Sequence, residues 1–412
     1  MLGFKNIHRN IWNVVLSEAA LQLVNGALMV LLLLYLRNKG FSDGESAKFF
    51  SSRFLGVLFI SLPFGLYIKG KALAKYFKIA SISLPIFTLI AIYFIEIRSA
   101  WGIYLSFVFW GIAFSLAEIP KIPFILRNSN IGKLSNSLSL AYSTWSFGAL
   151  SSGLIIFLLS WKFPVFFDHK NCLIFIVILS FLGAYFAFNV RDEIIPEEKD
   201  NSSVKNFMRS VDWKRVGYAL SPTFIIAVGA GMSVPFIPLY FNSTFDMKYD
   251  KFSGYSFLAY FLVLVLILFA PSIKNRYGLR YSIPTSQLFA VMCLATLALM
   301  DIYSGWSWAL AAALIAYVLR QPFMNIAQPL TTEVIMTYVG KENHEITASL
   351  MALIWNGSFV ISANIFGILR DNHVPFAGIF GITVIAYLVA IVWYQRLIIR
   401  TEKMQESIKS SN

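Results

Sequence analysis

Residues 376–394 read FAGIFGITVIAYLVAIVWY, a run of nineteen residues without a single charged side chain. The hydrocarbon core of a bilayer is about 30 Å thick, and an α-helix needs roughly 20 apolar residues to cross it. Backbone groups in lipid must satisfy their hydrogen bonds internally, so such a run can only be a helix. Similar stretches recur along the whole chain, which we therefore predict to be an all-α polytopic membrane protein.

Twelve such stretches are predicted to be transmembrane helices. They cover residues 11–36, 46–68, 77–95, 101–124, 136–160, 171–190, 216–241, 252–270, 280–302, 307–330, 346–369 and 376–397. The longest polar segment inside the chain lies between the sixth and seventh spans. It predicts a division into an N-terminal six-helix half (1–190), a cytoplasmic linker (191–215), a C-terminal six-helix half (216–397) and a cytoplasmic tail (398–412).

The charge balance predicts orientation rather than a charged partner. The chain is 58% hydrophobic and 13% charged, with a net charge of +13, whereas soluble domains carry about 25% charged residues. With the N-terminus inside, 19 of the 34 Lys and Arg residues fall in cytoplasmic segments, 8 in outer loops and 7 within the predicted spans. Positive residues concentrate on the cytoplasmic side. We therefore expect both termini in the cytoplasm, an inner (plasma) membrane location and no nucleic-acid binding.

The residues that usually carry chemistry are sparse. Cys172 and Cys293 both fall inside apolar stretches, and none of the four histidines pairs with another at metal-ligand spacing. A structural or catalytic zinc site needs three or four such ligands. No nucleophile–base pair is visible either. The sequence therefore predicts no metal, no cofactor and no enzymatic activity.

The two halves resemble each other. Glu118 and Pro120 in the fourth span match Arg320 and Pro322 in the tenth, at an offset of 202 residues, and Trp145 matches Trp355 at an offset of 210. Two similar halves around a central site are a common transporter design. We expect a pseudo-two-fold relation between the halves, with Arg320 as the symmetry mate of Glu118.

The loops at the predicted cytoplasmic side carry a family resemblance. The stretch Pro271-Ser-Ile-Lys-Asn-Arg276-Tyr-Gly278-Leu-Arg280 resembles the Gly-rich basic loop of the major facilitator superfamily, in its C-terminal copy. Gly65-Leu-Tyr-Ile-Lys69 stands where the N-terminal copy is expected, with Lys69 in place of the usual Asp. The resemblance implies alternating access, and we expect a monomer. It also implies a gating role for these loops, with the candidates Gly65, Lys69, Arg276, Gly278 and Arg280.

A polar stripe interrupts the first span. Glu18, Gln22 and Asn25 are spaced by four and then three residues, which places them on one helix face. A charge at bilayer depth costs at least about 2.5–3.5 kcal/mol, so it usually faces a cavity or a partner. The stripe is either a substrate-facing surface with Glu18 as a proton carrier, or a hydrogen-bond network that packs helices.

Charges also occur in the fourth and tenth spans. Glu118 is either a second proton carrier or the partner of Lys121, three residues further along the helix. Arg320 lies mid-span, followed by Gln321 and Asn325. A buried Arg suits a carboxylate, either of a substrate or of Glu118. The alternative for Arg320 is a purely structural pair.

Further candidates are aromatic or lie nearer the membrane surface. Tyr142, Trp145, Trp355 and Asn356 are candidate walls of a substrate site, or they only pack between helices. Arg53 lies within about two turns of the outer end of the second span, where a long side chain can extend to the interface. We therefore interpret Arg53 as snorkelling or structural.

These patterns favour a secondary active transporter. The expected partners are a small organic solute, protons and the lipid bilayer. The candidate proton-coupling residues are Glu18 and Glu118; the candidate substrate-binding residues are Gln22, Asn25, Tyr142, Trp145, Arg320, Asn325, Trp355 and Asn356. The aromatic composition favours export of an amphipathic compound. The alternatives are uptake of a nutrient or anionic metabolite, and facilitation without an energy source.

Overall fold

The computed structural model describes residues 7–41, 43–130, 132–163, 165–191, 211–247 and 249–411. All regular secondary structure in these ranges is helical. The described residues divide into two compact units. The first unit contains residues 7–191 and 348–353, and the second contains residues 211–347 and 354–411.

Seven helices form the first unit. They are α1 (Arg9–Asn38), α2 (Asp43–Ile68), α3 (Ala74–Glu96), α4 (Ala100–Asn128), α5 (Leu134–Lys162), α6 (His169–Ser180) and α7 (Leu182–Phe188). The last two are one predicted span, interrupted at Phe181. Two N-caps set where helices begin on one side of the unit, because Ser99 accepts from the Gly102 amide and Asp168 from the Asn171 amide.

Eight α-helices form the second unit, apart from residues 348–353 of the seventh of them, which belong to the first unit. They are α8 (Trp213–Ser233), α9 (Ile237–Phe245), α10 (Tyr249–Ile267), α11 (Ala270–Tyr277), α12 (Leu279–Ile302), α13 (Ala309–Val339), α14 (His344–Asp371) and α15 (Phe376–Ser411). A 3₁₀ turn at Val234–Phe236 joins α8 to α9 within the seventh span. Pro235 lies in that turn and Pro238 follows it, so two backbone amides that a continuous helix uses are missing.

Each of the twelve predicted spans coincides with a helix or a pair of consecutive helices. Ten elements are long and apolar enough to cross a membrane, and the bent pair α10–α11 makes an eleventh. The twelfth, α14, has 28 residues, more than the roughly 20 that a crossing needs. The predicted class, all-α with two halves of six spans, is confirmed.

Two boundaries differ from the prediction, and one lies outside the described residues. The stretch predicted as a basic loop, 271–280, is mostly helix, because α11 continues to Tyr277 at an angle of 50° to the preceding helix. The segment predicted as a tail continues α15 to Ser411. The predicted linker, 191–215, falls largely within 192–210, outside the described residues.

Glycines set the close approach of helices in the first unit. A Cβ atom on Gly111 of α4 would lie 1.9 Å from the carbonyl oxygen of Arg53 on α2. A Cβ atom on Gly26 of α1 would lie 2.4 Å from Ser152 Oγ on α5. Real side chains do not tolerate such distances, so these pairs of helices pack backbone against backbone.

The second unit repeats one of these close glycine contacts between helices. A Cβ atom on Gly231 of α8 would lie 2.7 Å from Ser362 Oγ on α14, and the Ser362 hydroxyl donates to the Val228 carbonyl at 2.8 Å. Ser152 and Ser362 are 210 residues apart, the offset that the sequence predicts from Trp145 and Trp355. The repeat is therefore visible inside each half as the same glycine–serine contact between its first and fifth spans.

Candidate functional site

A buried lysine joins two carboxylates in the first unit. The Lys121 ammonium donates to Glu18 Oε1 at 2.7 Å and to both oxygens of Glu118 at 2.8 Å. The side chains of Lys121 and Glu18 are 5% and 4% exposed, whereas that of Glu118 is 34% exposed. One cation therefore links α1 to α4 and is shared between a buried anion and a partly accessible one.

This ion triad unites two separate sequence predictions. For Glu118 the sequence left two alternatives, a proton carrier or the partner of Lys121, and the two side chains do pair within α4. Glu18 was expected to face either a partner or a substrate, and its partner is the same lysine. The second oxygen of Glu18, Oε2, is buried and accepts no hydrogen bond from any described residue. That oxygen is a place where a proton can be held.

The stripe on α1 extends the triad along the helix. Gln22 donates to Glu18 Oε1 at 3.4 Å, and Asn25 donates to Gln22 Oε1 at 3.0 Å. The seven residue steps from Glu18 to Asn25 span about 10 Å at 1.5 Å per residue. All three side chains are buried. The predicted stripe is therefore a continuous hydrogen-bonded row.

The row ends at Arg53, which the sequence analysis interpreted as snorkelling or structural. Its Nη1 donates to Asn25 Oδ1 at 3.1 Å, and the residue is only 2% exposed. The guanidinium is therefore buried against α1 and does not snorkel. We call the row from Glu118 and Lys121 through Glu18, Gln22 and Asn25 to Arg53 the polar chain.

Arg320 is a buried charged residue in the second unit. The residue is 1% exposed, and its Nη2 donates to Tyr387 Oη on α15 at 3.3 Å. No described residue accepts from its Nε. Gly229 makes room for this arrangement, since a Cβ atom there would lie 2.8 Å from Tyr387 Cε1. Nothing in the sequence pointed to Tyr387, which looks like one more membrane aromatic.

The other predicted substrate residues are distributed over both units. Tyr142 is half-buried on α5, and Trp145, on the same helix, is 41% exposed. Trp355 and Asn356 are half-buried on α14 of the second unit. Asn325 donates its side-chain amide to the Gln321 carbonyl at 2.8 Å, within its own helix. Their role in binding stays a prediction.

The predicted gating loops are each tied to a neighbouring helix by an arginine or a lysine. In the first unit, Arg127 at the end of α4 donates to the Lys71 carbonyl at 2.8 Å. In the second, Lys274 on α11 pairs with Glu333 on α13 at 2.5 Å. Sequence reasoning missed both contacts, because neither follows from spacing along one helix.

The predicted gating residues themselves lie in or beside these turns. Gly65 is buried in α2, and Lys69 follows its last residue. Gly278 has a φ of +73°, which favours glycine, and separates α11 from α12. Arg276 and Arg280 are exposed on either side of it. The described residues contain no group of three or more His, Cys, Asp or Glu side chains that could hold a metal ion.

The chain is similar in fold to several solved transporters. An outward-facing bacterial homologue of the iron transporter ferroportin is 14% identical in sequence; the match covers 95% of this chain and 99% of that protein, with a TM-score of 0.74. The E. coli fucose:proton symporter FucP is 15% identical; the match covers 93% of this chain and 97% of FucP, with a TM-score of 0.72. The human organic anion transporter MFSD10 is 12% identical; the match covers 94% of this chain and 99% of MFSD10, with a TM-score of 0.73.

No protein-family model and no curated protein matches by sequence. The solved structures nevertheless share the whole architecture, and FucP is a transporter of the major facilitator superfamily. The chain has the fold of the major facilitator superfamily. The prediction that it is an integral multi-pass membrane protein is confirmed, and the prediction that it is not an enzyme agrees with the transporters that share its fold.

Proposed function

We propose that the chain is a secondary active transporter that moves a small organic solute by alternating access and is coupled to protons. The observation that carries the proposal is the triad of Glu18, Lys121 and Glu118. A buried cation held by two carboxylates on two helices can exchange one of its partners when a proton arrives. The fold supports the proposal as well, since FucP, which shares it, is a proton symporter.

The triad suggests how protonation changes the structure. Protonation of Glu18 removes its charge, so Lys121 keeps only Glu118 as an anionic partner. The ionic contact between α1 and α4 is then lost, and the contact within α4 remains. Because Glu118 is partly exposed, it is the candidate entry point for the proton, with Glu18 as the inner carrier. Deprotonation restores the contact between the helices.

The direction of transport has two candidates. The exposed Trp145 and the other predicted wall residues favour export of an amphipathic compound. Uptake of an anionic metabolite is favoured by a specific observation: Arg53 and Arg320 are both buried, and no carboxylate among the described residues pairs with either. The alternative to active transport in either direction is a facilitator without an energy source, which would show counterflow without accumulation.

The location follows from the charge asymmetry. We propose a monomer in the plasma membrane with both termini in the cytoplasm, and residues 191–215 as the cytoplasmic linker. The 19-to-8 distribution of Lys and Arg between cytoplasmic segments and outer loops supports this orientation.

The experiment needs a substrate first. A ligand screen by thermal shift on purified protein finds one, because a binder stabilises the folded state. Gradient-driven accumulation and counterflow are then measured in proteoliposomes for Glu18→Gln and Glu118→Gln. Gln keeps the shape and loses the titration, so accumulation should fail while counterflow persists.

The matched control is Glu96→Gln. Glu96 is a carboxylate at the end of α3 that pairs with Lys39 at 2.8 Å, outside the polar chain. It should leave both activities intact. If Glu18→Gln and Glu118→Gln each accumulate substrate against its gradient as the unmodified protein does, proton coupling through the triad is wrong.

A further inference from the structure

Arg53 is a buried cation with too few acceptors. A guanidinium has five N–H donors, and within the described part of the chain Arg53 has one oxygen acceptor, Asn25 Oδ1. Its Nη2 meets only the Met29 thioether at 3.2 Å, a weak acceptor. Its Nε is buried without a partner. The edge formed by Nε and Nη2 therefore lacks the oxygens that such an edge binds in pairs.

The surroundings of Arg53 keep this edge in place. The Arg53 Cζ lies 4.1 Å from the ring centre of Phe50, 4.7 Å from Phe54 and 5.6 Å from Trp110. Rings stabilise a guanidinium from its face and leave the edge for hydrogen bonds. Trp110 is itself fixed, because its Nε1 donates to Thr88 at 3.1 Å. The guanidinium is therefore oriented before any ligand arrives.

Met29 contacts one end of the unpaired edge, because its Sδ lies 3.2 Å from Arg53 Nη2. It is 45% exposed, whereas Arg53 is 2% exposed. Methionine is flexible and adapts to different neighbours. Rotation of this one side chain would free Nη2 for an oxygen acceptor.

The charges of the polar chain add a second argument. With Glu18, Glu118, Lys121 and Arg53 all charged, the polar chain is neutral. One added proton leaves it with a net charge of +1 in a setting that screens charge poorly. An anion at the Arg53 end restores neutrality. Proton and anion should therefore bind together.

We infer that Arg53 binds the carboxylate of the transported solute through its Nε and Nη2 atoms, and that this anion binds together with one proton on the polar chain. The inference rests on the proposed transport function and specifies its substrate class, a small monocarboxylic acid. It assigns Gln22 and Asn25 as the hydrogen-bonded connection between the anion site and the proton site.

The test measures binding to the purified full-length protein in chloride-free buffer. The probes are acetate and benzoate, and their neutral counterparts are acetamide and benzamide. The unmodified protein should bind a carboxylate and not its amide. Arg53→Gln should weaken carboxylate binding about 10- to 100-fold, the loss of one or two charge-assisted hydrogen bonds. Arg53→Lys keeps the charge but not the paired donors, and it covers the case in which Arg53→Gln does not fold.

The matched control is Arg370→Gln, which removes an arginine that also lies over an aromatic ring, with its Cζ 4.4 Å from the ring centre of Phe376, but that donates to the Val374 carbonyl outside the polar chain. It should leave carboxylate affinity within about 3-fold. If Arg53→Gln and Arg53→Lys both bind carboxylates as the unmodified protein does, the anion site is not at Arg53. Equal binding of carboxylates and amides, or no binding of either carboxylate to the unmodified protein, also overturns the inference.

Proton linkage separates this inference from the proposed function. Benzoate binding should take up about one proton in weakly buffered solution. The Kd for benzoate should therefore rise by up to tenfold for each unit by which the pH is raised. Arg53-dependent binding without proton uptake would contradict proton coupling and leave the anion site standing. Proton-driven transport that persists in Arg53→Gln and Arg53→Lys would contradict the anion site and leave the transport function standing.

Discussion

Replacing Lys121 by Met tests the energetic role of the triad. The substitution removes the cation and keeps an unbranched apolar side chain of similar length. It leaves Glu18, which is 4% exposed, without a charged partner. Removing one partner of a buried ion pair typically costs about 3–5 kcal/mol. The contact to Glu118, one-third exposed, adds no more than about 1 kcal/mol. We expect a loss of about 3–5 kcal/mol in the free energy of unfolding.

The assay is reversible unfolding of the purified protein in mixed micelles, at pH 8 and at pH 5. The loss should be smaller at pH 5, because a protonated carboxyl leaves no stranded charge. The double variant Glu18→Gln with Lys121→Met should recover about 2 kcal/mol or more relative to additivity, since the two groups are in contact.

The control is Lys39→Met. Lys39 also pairs with a glutamate, Glu96, but both side chains are about one-third exposed, so the expected loss is about 0–1 kcal/mol. A loss below about 1 kcal/mol for Lys121→Met, or one equal to that of Lys39→Met, would refute the view that the triad joins α1 to α4.

Three further predictions concern packing, charge and topology. Gly111→Ala places a Cβ atom 1.9 Å from the Arg53 carbonyl oxygen and should cost about 1–3 kcal/mol in the same unfolding assay, whereas Gly217→Ala, with open space around it, should be neutral or slightly stabilising. Arg320→Leu should impair transport in proteoliposomes without lowering stability, because the cost of burying the charge disappears; normal transport would remove Arg320 from the site. A reporter enzyme that works only in the cytoplasm should be active when it is fused to the C-terminus. Activity of a reporter that works only in the periplasm would contradict the predicted orientation.

The sequence predicted the spans well because each is a local property. Twenty apolar residues must form a helix in lipid, whatever lies beside them. The stripe of Glu18, Gln22 and Asn25 was predicted for the same reason, since helical spacing alone puts the three residues on one face. The helical bend at α11 was missed, because the basic residues Lys274 and Arg276 give that segment the composition of a loop.

Pairings between helices could not be predicted in the same way. Spacing showed that Lys121 can reach Glu118, but the contact with Glu18 depends on how α1 packs against α4. Arg53 illustrates the same limit. The sequence left open whether its side chain snorkels or has a structural role, and the hydrogen bond to Asn25 across two helices could not be predicted from its position in the span.

The pairing of α1 with α5 has a consequence for biosynthesis. The contact between Gly26 on α1 and Ser152 on α5 cannot form until α5 has been synthesised, about 100 residues after α1 ends at Asn38. At the usual synthesis rate of 5–20 residues per second, this delay is about 5–20 s. During that time the polar face of α1 lacks its partners on α4 and α5. Until α4 is made, Glu18 lacks its partner Lys121, so early insertion of α1 carries the cost of one unpaired acidic residue, at least about 2.5–3.5 kcal/mol at bilayer depth.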